Sequence, residues 1–149
     1  MHTLDSCRVE KAYRHFGHDI TDEDHVLEAG LGFAVKVEKG QFLGREAVLK
    51  KREQGLSKVL LQFCLKDPEA MMFHNEPILR DGSIVGYITS ANYGHFLEGA
   101  VGLGYVPCLH EDLQEVLASK YRIEIAGKQF ETRVSARPMY DPKSLKVKV

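Results

Sequence analysis

The chain has 149 residues, of which 44% are hydrophobic and 28% are charged, and its formal net charge is −1. This balance is ordinary for a globular protein and argues against a nucleic-acid partner or a polybasic membrane patch. No apolar run approaches the roughly 20 residues of a membrane span, and the first residues lack the apolar stretch of a secretory signal. Three widely spaced cysteines (Cys7, Cys64 and Cys108) fit no disulfide framework. We therefore expect reduced thiols in the cytoplasm, or in the mitochondrial matrix if the source is eukaryotic.

The first part of the chain predicts one helix and one extended segment. The apolar residues that follow roughly helical spacing are Leu4, Cys7, Val9, Ala12 and Phe16. Charged residues lie between them, and Gly17 is a natural helix terminator, so we expect a short amphipathic helix. A polar loop follows at 21–25. Residues 26–37 then predict a strand or an extended segment that contains two glycines.

The middle of the chain predicts a second helix, and the pattern then changes. After a turn at 41–44, residues 45–53 predict a charge-rich helix that Gly55 ends. From residue 58 onward, short segments rich in β-branched and aromatic residues predict strands. The predicted strands are 58–65, 76–79, 84–90, 100–106, 121–125 and 128–134.

Turns separate these strands. Asp81-Gly82 predicts a tight hairpin turn because Gly tolerates positive φ, and 91–99 is a polar, aromatic connection. Residues 110–119 contain one predicted helical turn, and the tail at 138–149 is expected to fray. Six short strands in about eighty residues predict a small antiparallel barrel. The predicted fold class is therefore α+β, with a helix/strand segment followed by a six-stranded β-barrel.

Residue chemistry alone predicts no catalytic residue and no metal site. Three histidines near acidic residues (His15, His18 and His25) form no fixed ligand motif and are typical of a solvated loop. The glycines of EAGLGF form no phosphate-binding motif, and the cysteines favour structural roles. Tyr93 and His95 lie in the barrel connection, where they either contact a ligand or simply cover the barrel mouth.

Three stretches in order resemble the folate-binding aminomethyltransferase family. They are LDSCRVEKAYRHFGHDI (4–20), LEAGLGFAVKVEKGQFLGREAVL (27–49) and PILRDGSIVGYITSANYGHFLEGAVGLGYVP (77–107). The family comprises the glycine-cleavage T-protein and the C-terminal folate domains of sarcosine and dimethylglycine dehydrogenases. RVEKAYRHFGHDI and the YGH after the hairpin look more like the dehydrogenase branch.

The resemblance implies a division of the chain and a cofactor. Residues 1–40 would be the tail of the family's middle lobe, 41–56 a connecting helix, and 57–149 the C-terminal barrel domain. The implied cofactor is tetrahydrofolate, and FAD would belong only to a domain that is not in these 149 residues.

The resemblance implies Phe33 and Lys58 as cofactor-binding residues, and Tyr93 and His95 of the barrel connection are added as candidate contacts from their chemistry. An aromatic side chain at Phe33 suits a flat pterin, and the ammonium group of Lys58 suits the anionic glutamate tail. Leu4 stands where T-proteins carry a folate-binding arginine. The family's catalytic aspartate and its pterin-binding glutamate have no counterpart in this sequence.

The implied function is therefore that of the C-terminal portion of an aminomethyltransferase-like protein, inactive alone. It would serve one-carbon transfer to tetrahydrofolate from a group derived from glycine, sarcosine or dimethylglycine. The partners would be folate and the missing N-terminal lobes or another chain, with a homo-oligomer as a further expectation. The alternative is a non-catalytic barrel that acts as a binding or scaffolding module.

Overall fold

The computed structural model describes residues 2–109, 111–146 and 148. It contains three α-helices, two short 3₁₀ turns and six strands. The helices are α1 (His2–Glu10), α2 (Arg45–Gln54) and α3 (Leu113–Ala118), and the 3₁₀ turns are Gly32–Ala34 and Val37–Lys39. The strands are β1 (Lys58–Leu65), β2 (Pro77–Arg80), β3 (Ser83–Gly94), β4 (Gly99–Pro107), β5 (Tyr121–Ile125) and β6 (Lys128–Ser135).

The six strands close into an antiparallel barrel in the order β1-β4-β3-β2-β5-β6. The barrel closes because β1 pairs with β4 along one edge and with β6 along the other. This confirms the predicted α+β fold with a six-stranded barrel. Its interior is filled by side chains, as expected for so few strands.

The barrel core is apolar and tightly closed. Leu61 and Phe63 of β1 are buried with Ile78, Ile88 and Ile123 from three other strands. Each such side chain contributes roughly 1.5–3 kcal/mol by leaving water. The apolar residues by which the strands were predicted therefore fill the interior.

Strand β3 forms the corner of the barrel. Its first half pairs with β2 and its second half, from Ile88 onward, pairs with β4. At the crossover the backbones approach so closely that a side chain at Gly86 would collide with the carbonyl oxygen of Tyr105. A side chain at Gly104 would lie 2.8 Å from the carbonyl oxygen of Tyr87. Glycine is thus required at both positions by close backbone approach.

The N-terminal helix differs from its prediction in length and in its buried side. It ends at Glu10, and Ala12 follows with φ +54°. Val9 is buried, whereas Leu4 and Phe16 are 70% and 71% exposed. Of the five predicted apolar residues only Val9 and Ala12 are buried, because the segment docks on the barrel through them and through polar groups described below.

Residues 26–37 form turns rather than the predicted strand. Two 3₁₀ turns, Gly32–Ala34 and Val37–Lys39, occupy the end of this segment and its continuation. Residues 26–37 have no strand with which to pair, because each of the six barrel strands is already hydrogen-bonded to a neighbour on both sides. The second predicted helix is confirmed as α2, which Gly55 follows with φ +82°.

The central connection and the tail also differ from their predictions. Strand β3 continues to Gly94, so Tyr93 lies in a strand and the connection to β4 is only 95–98. The predicted helical turn is α3, although His110 lies outside the described residues. The tail is anchored at two points, since the Met139 amide donates to Gln62 Oε1 at 2.7 Å and Asp141 pairs with Lys11 at 3.1 Å. None of the described helices has the length and apolar character that crossing a membrane requires.

Candidate functional site

A buried carboxylate joins the N-terminal segment to the barrel corner. Asp19 is 1% exposed and accepts hydrogen bonds from Arg8 Nη1 at 2.7 Å and from the His15 amide at 2.9 Å. It also accepts from Thr89 Oγ1 at 2.5 Å and from Ser90 Oγ, both on β3. A buried charge persists only when it is paired and hydrogen-bonded. The loop that carries Asp19 is therefore fixed against the strands.

Two further buried polar side chains, Glu10 and Gln62, also join the N-terminal segment to the barrel. Glu10 Oε1 accepts from the amides of Phe96 and Leu97, at 2.8 and 2.9 Å, in the connection between β3 and β4. Gln62 Nε2 donates to the carbonyl oxygens of Val9 and Glu10, at 2.7 and 3.0 Å, where α1 ends. The segment before the barrel is thus held rigidly on its surface.

Beside these contacts lies a cleft of about 600 Å³, which we call the Phe33 cleft. It lies between the N-terminal segment and the tail. Its side chains of chemical interest are Lys11, Tyr13, Arg14, Phe33 and Arg137, with Pro138 and Pro142 beside them. Phe33 is 81% exposed and Tyr13 is 57% exposed, so two aromatic rings face solvent at the cleft. Rings exposed beside cations are suited to a flat anionic ligand.

The cleft is positively charged. The Arg14 guanidinium is held by the carbonyl oxygens of Ala29 (from Nε, 2.9 Å) and Ala12 (from Nη1, 2.7 Å). Among the described residues, no carboxylate lies within 4.0 Å of Arg14 or Arg137. Burial lowers the pKa of Arg14, but a guanidinium stays protonated in proteins. Lys11, in contrast, is already paired with Asp141 at 3.1 Å.

The structure does not place all four predicted binding residues in this cleft. Phe33 lies there, whereas Lys58 lines a separate apolar groove with Tyr105. The Lys58 ammonium lies 2.6 Å from Asp24 and 4.4 Å from the centre of the Tyr105 ring. Burial acts to raise the pKa of Asp24, but the hydrogen bonds from Lys58 and Thr21 lower it overall, as expected for a strong ion pair.

Tyr93 and His95 lie together, apart from both the Phe33 cleft and the groove that Lys58 lines. Their ring centres are 5.3 Å apart with the rings nearly perpendicular. They line an open, polar cleft with Lys66 and Arg133 at the end of the barrel. The four predicted residues therefore occupy three different depressions of the surface.

Arg14, Arg137 and Tyr13 are cleft residues that the sequence analysis did not single out. Arg14 was counted only as a charged residue between apolar ones, and Arg137 lies at the edge of the predicted fraying tail. The contact between the tail and the N-terminal segment brings them together, and local sequence patterns carry no signal of such a contact. His15 and His18 have ring centres 4.8 Å apart, and the described chain contains no group of three potential metal ligands.

The chain is thus a small closed barrel with an N-terminal segment anchored by polar contacts and a basic, aromatic cleft beside it. The family model for the glycine cleavage T-protein C-terminal barrel domain matches residues 58–141, and that for the GCVT N-terminal domain matches 1–39. The chain therefore belongs to the glycine cleavage T-protein family. The resemblance read from the three motifs is confirmed.

Individual relatives agree with this assignment. The chain is 38% identical to 4-methylaminobutanoate oxidase (formaldehyde-forming) from Paenarthrobacter nicotinovorans, over 95% of this chain and 17% of the relative. It is 33% identical to human mitochondrial sarcosine dehydrogenase, over 97% of this chain and 16% of the relative. A crystal structure of the glycine cleavage system aminomethyltransferase T from Bartonella henselae superposes with a TM-score of 0.78 at 27% identity, over 93% of this chain and 38% of that one. The chain thus spans about a sixth of the length of the two curated relatives.

Proposed function

We propose that this chain is the C-terminal portion of a folate-dependent aminomethyltransferase-like protein. The whole protein would transfer a one-carbon unit to tetrahydrofolate from a group derived from glycine, sarcosine or dimethylglycine. The observation that carries the proposal is the Phe33 cleft, where an exposed ring lies beside two unpaired guanidinium groups in a chain of this family. The proposed division into 1–40, 41–56 and 57–149 is supported by the ranges that the two family models match.

The residues of the cleft fit the chemistry of tetrahydrofolate. Its pterin and benzoyl rings are flat and would pack against Phe33 and Tyr13. Its glutamate carboxylates would accept hydrogen bonds from Arg14 and Arg137, since guanidinium groups bind carboxylates in bidentate geometry. Lys58 is a weaker candidate for this role because Asp24 already neutralises it. Tyr93 and His95 remain predicted contacts, to be tested separately.

We propose that the chain alone does not catalyse the transfer. The described residues that line the cleft include no carboxylate to move a proton at the reacting nitrogen. Loss of such a group lowers the rate of a reaction by roughly 10²–10⁴-fold. The catalytic aspartate that the family resemblance implies would come from the other lobes of the protein or from another chain. Any FAD would bind to a separate domain.

Calorimetric titration of the purified chain with tetrahydrofolate tests this proposal. We expect binding that Phe33→Ala weakens, while Phe73→Ala, which truncates another exposed phenylalanine, leaves it unchanged. Arg137→Gln should weaken binding by roughly tenfold, the usual scale for one charged hydrogen bond. Equal binding by Phe33→Ala and the wild type would remove the cleft from consideration, and measurable one-carbon transfer by this chain would contradict the inactivity.

A non-catalytic binding or scaffolding module is the second candidate. The observation that favours it is the set of exposed apolar side chains on the N-terminal segment, Leu4, Phe16 and Phe33. Exposed apolar side chains favour association when they form a continuous patch, either with a partner chain or between two copies. Sedimentation at several concentrations distinguishes the two cases. A concentration-dependent dimer that Phe16→Ser disrupts would support self-association, and a monomer throughout would exclude it.

A further inference from the structure

A second cavity shares Gly30 and Ala136 with the Phe33 cleft but is built differently. Its volume is about 570 Å³, and we call it the Cys108 cavity. It lies between the end of α2, the start of β1 and the segment that follows β4. Its apolar walls are formed by Leu27, Leu56, Val59, Leu60, Leu109 and Leu113.

The charged groups at this cavity are already neutralised. Among its described lining residues, only Lys51 and Glu111 are charged. Lys51 Nζ lies 2.8 Å from Glu28 Oε1, and Arg80 Nη1 donates to Glu111 Oε1 at 3.1 Å. Neither Lys51 nor Glu111 therefore offers a free charge to an ionic ligand. In the Phe33 cleft, in contrast, Arg14 and Arg137 have no carboxylate partner among the described residues.

The uncharged polar side chains among the described lining residues are Gln54, Ser57 and Cys108, and Ser57 Oγ already donates to Glu28 Oε1 at 2.6 Å. Cys108 is 7% exposed, and its Sγ lies 3.5 Å from the Leu56 carbonyl oxygen. Burial raises the pKa of this thiol, so it is neutral near pH 7 and offers only a weak hydrogen bond. Pockets of about 300–1,000 Å³ with apolar walls and few polar groups are typical of small-molecule sites.

We propose that the Cys108 cavity binds a neutral, apolar small molecule, such as a fused aromatic compound without an ionised group. A charged ligand would find no free counter-charge among the described lining residues, whereas an apolar ligand would bury its surface against the leucine walls, so the charged ligand is disfavoured. This proposal does not rest on folate binding. It predicts a second ligand that occupies its own cavity whether or not the Phe33 cleft is filled.

The test compares two dyes of the same shape. N-phenyl-1-naphthylamine is neutral, and 8-anilino-1-naphthalenesulfonate carries one added sulfonate. We expect the neutral dye to bind the full chain saturably, at one molecule per chain, and to slow alkylation of Cys108 by iodoacetamide. The exposed Cys7 provides an internal control, since its alkylation should not change. The sulfonated dye should not protect Cys108.

Two variants locate the site. Leu113→Lys adds a charge at the exposed rim and should weaken binding of the neutral dye by about tenfold, because one apolar contact is lost. Leu145→Lys makes the same change at an exposed leucine outside the cavity and should have no effect. Phe33→Ala should also leave dye binding intact.

Three results would overturn the proposal. The first is no saturable binding of the neutral dye to the wild type. The second is binding that leaves Cys108 alkylation unchanged, which would place the dye elsewhere. The third is protection of Cys108 by protein concentration alone, with formation of a dimer, which would assign the cavity to a second copy of the chain.

Discussion

Lys11 and Asp141, 130 positions apart in the sequence, form an ion pair of 3.1 Å between the start of the chain and its tail. Lys11 Nζ also donates to the Asp141 carbonyl oxygen at 2.5 Å. Asp141 in turn accepts from the amides of Leu145 and Lys146, so one carboxylate holds both the N-terminal segment and its own turn. Because the tail supplies Arg137 and Pro142 to the Phe33 cleft, this pair also shapes that cleft.

Asp141→Ala should release the tail without unfolding the barrel. We expect faster tryptic cleavage after Lys143, since a segment that loses its anchoring contacts opens more often. The matched control is Asp67→Ala, which changes an exposed aspartate in the loop after β1. Limited proteolysis followed by mass spectrometry gives the cleavage rates. An unchanged rate of cleavage after Lys143 would show that the ion pair does not hold the tail.

Asp19→Ala should be among the most destabilising substitutions in the chain. It leaves the Arg8 guanidinium without its buried partner and removes the acceptor of Thr89 and Ser90. Breaking a buried ion pair in this way costs about 3–5 kcal/mol. Urea unfolding measures the change in free energy. Asp22→Ala, in the exposed part of the same loop, should change it by less than about 0.5 kcal/mol.

Gly86→Ala should destabilise the barrel for a steric reason alone. The added methyl group would collide with the Tyr105 carbonyl oxygen, which cannot move away without disturbing the β1–β4 pairing. Overpacking of this kind costs typically about 1–3 kcal/mol. Thermal unfolding, with Ser83→Ala on the exposed start of the same strand as control, gives the comparison. A wild-type melting temperature for Gly86→Ala would mean that the two strands separate easily.

Glu28 should make stability depend on pH in the acid range. Burial acts to raise its pKa, but hydrogen bonds from Lys51 and Ser57 outweigh burial and lower the pKa from 4.5 to about 2. A carboxylate with a lowered pKa stabilises the fold above its unfolded pKa, and this contribution is lost as the pH falls from about 4.5 to about 2. The Glu28→Gln variant should therefore lose less stability than the wild type between pH 6 and pH 3 in urea titrations. Exposed Glu38→Gln should follow the wild type.

The barrel could be predicted from the sequence because its signals are local. Each strand alternates or concentrates β-branched and aromatic residues, and Asp81-Gly82 marks the hairpin between β2 and β3. The N-terminal segment could not be predicted in the same way. Its buried side is set by polar groups such as Glu10 and Asp19, whose partners lie about seventy to ninety positions away. Because Glu10 and Asp19 are charged, hydrophobic periodicity predicts that they face solvent.

The candidate site was also predicted only in part, because its residues meet through contacts between segments that are far apart in the sequence. Phe33 was found through the family resemblance, and it lies in the basic cleft. The partners Arg14 and Arg137 come from segments that meet only in the folded chain. Lys58 has the right charge, but its neighbour Asp24 neutralises it, and that contact spans 34 positions.

The contact between the two ends of the chain also has a consequence for how the protein is made. Gln62 binds both the end of α1 and the Met139 amide, and Lys11 binds Asp141, so the contacts that join the two ends form only after the tail has been made. Contacts of such long sequence separation slow folding, because loop-closure entropy must be overcome before they form. The N-terminal segment therefore has its partners on β1 and β3 earlier in synthesis than Asp141 of the tail, which binds Lys11.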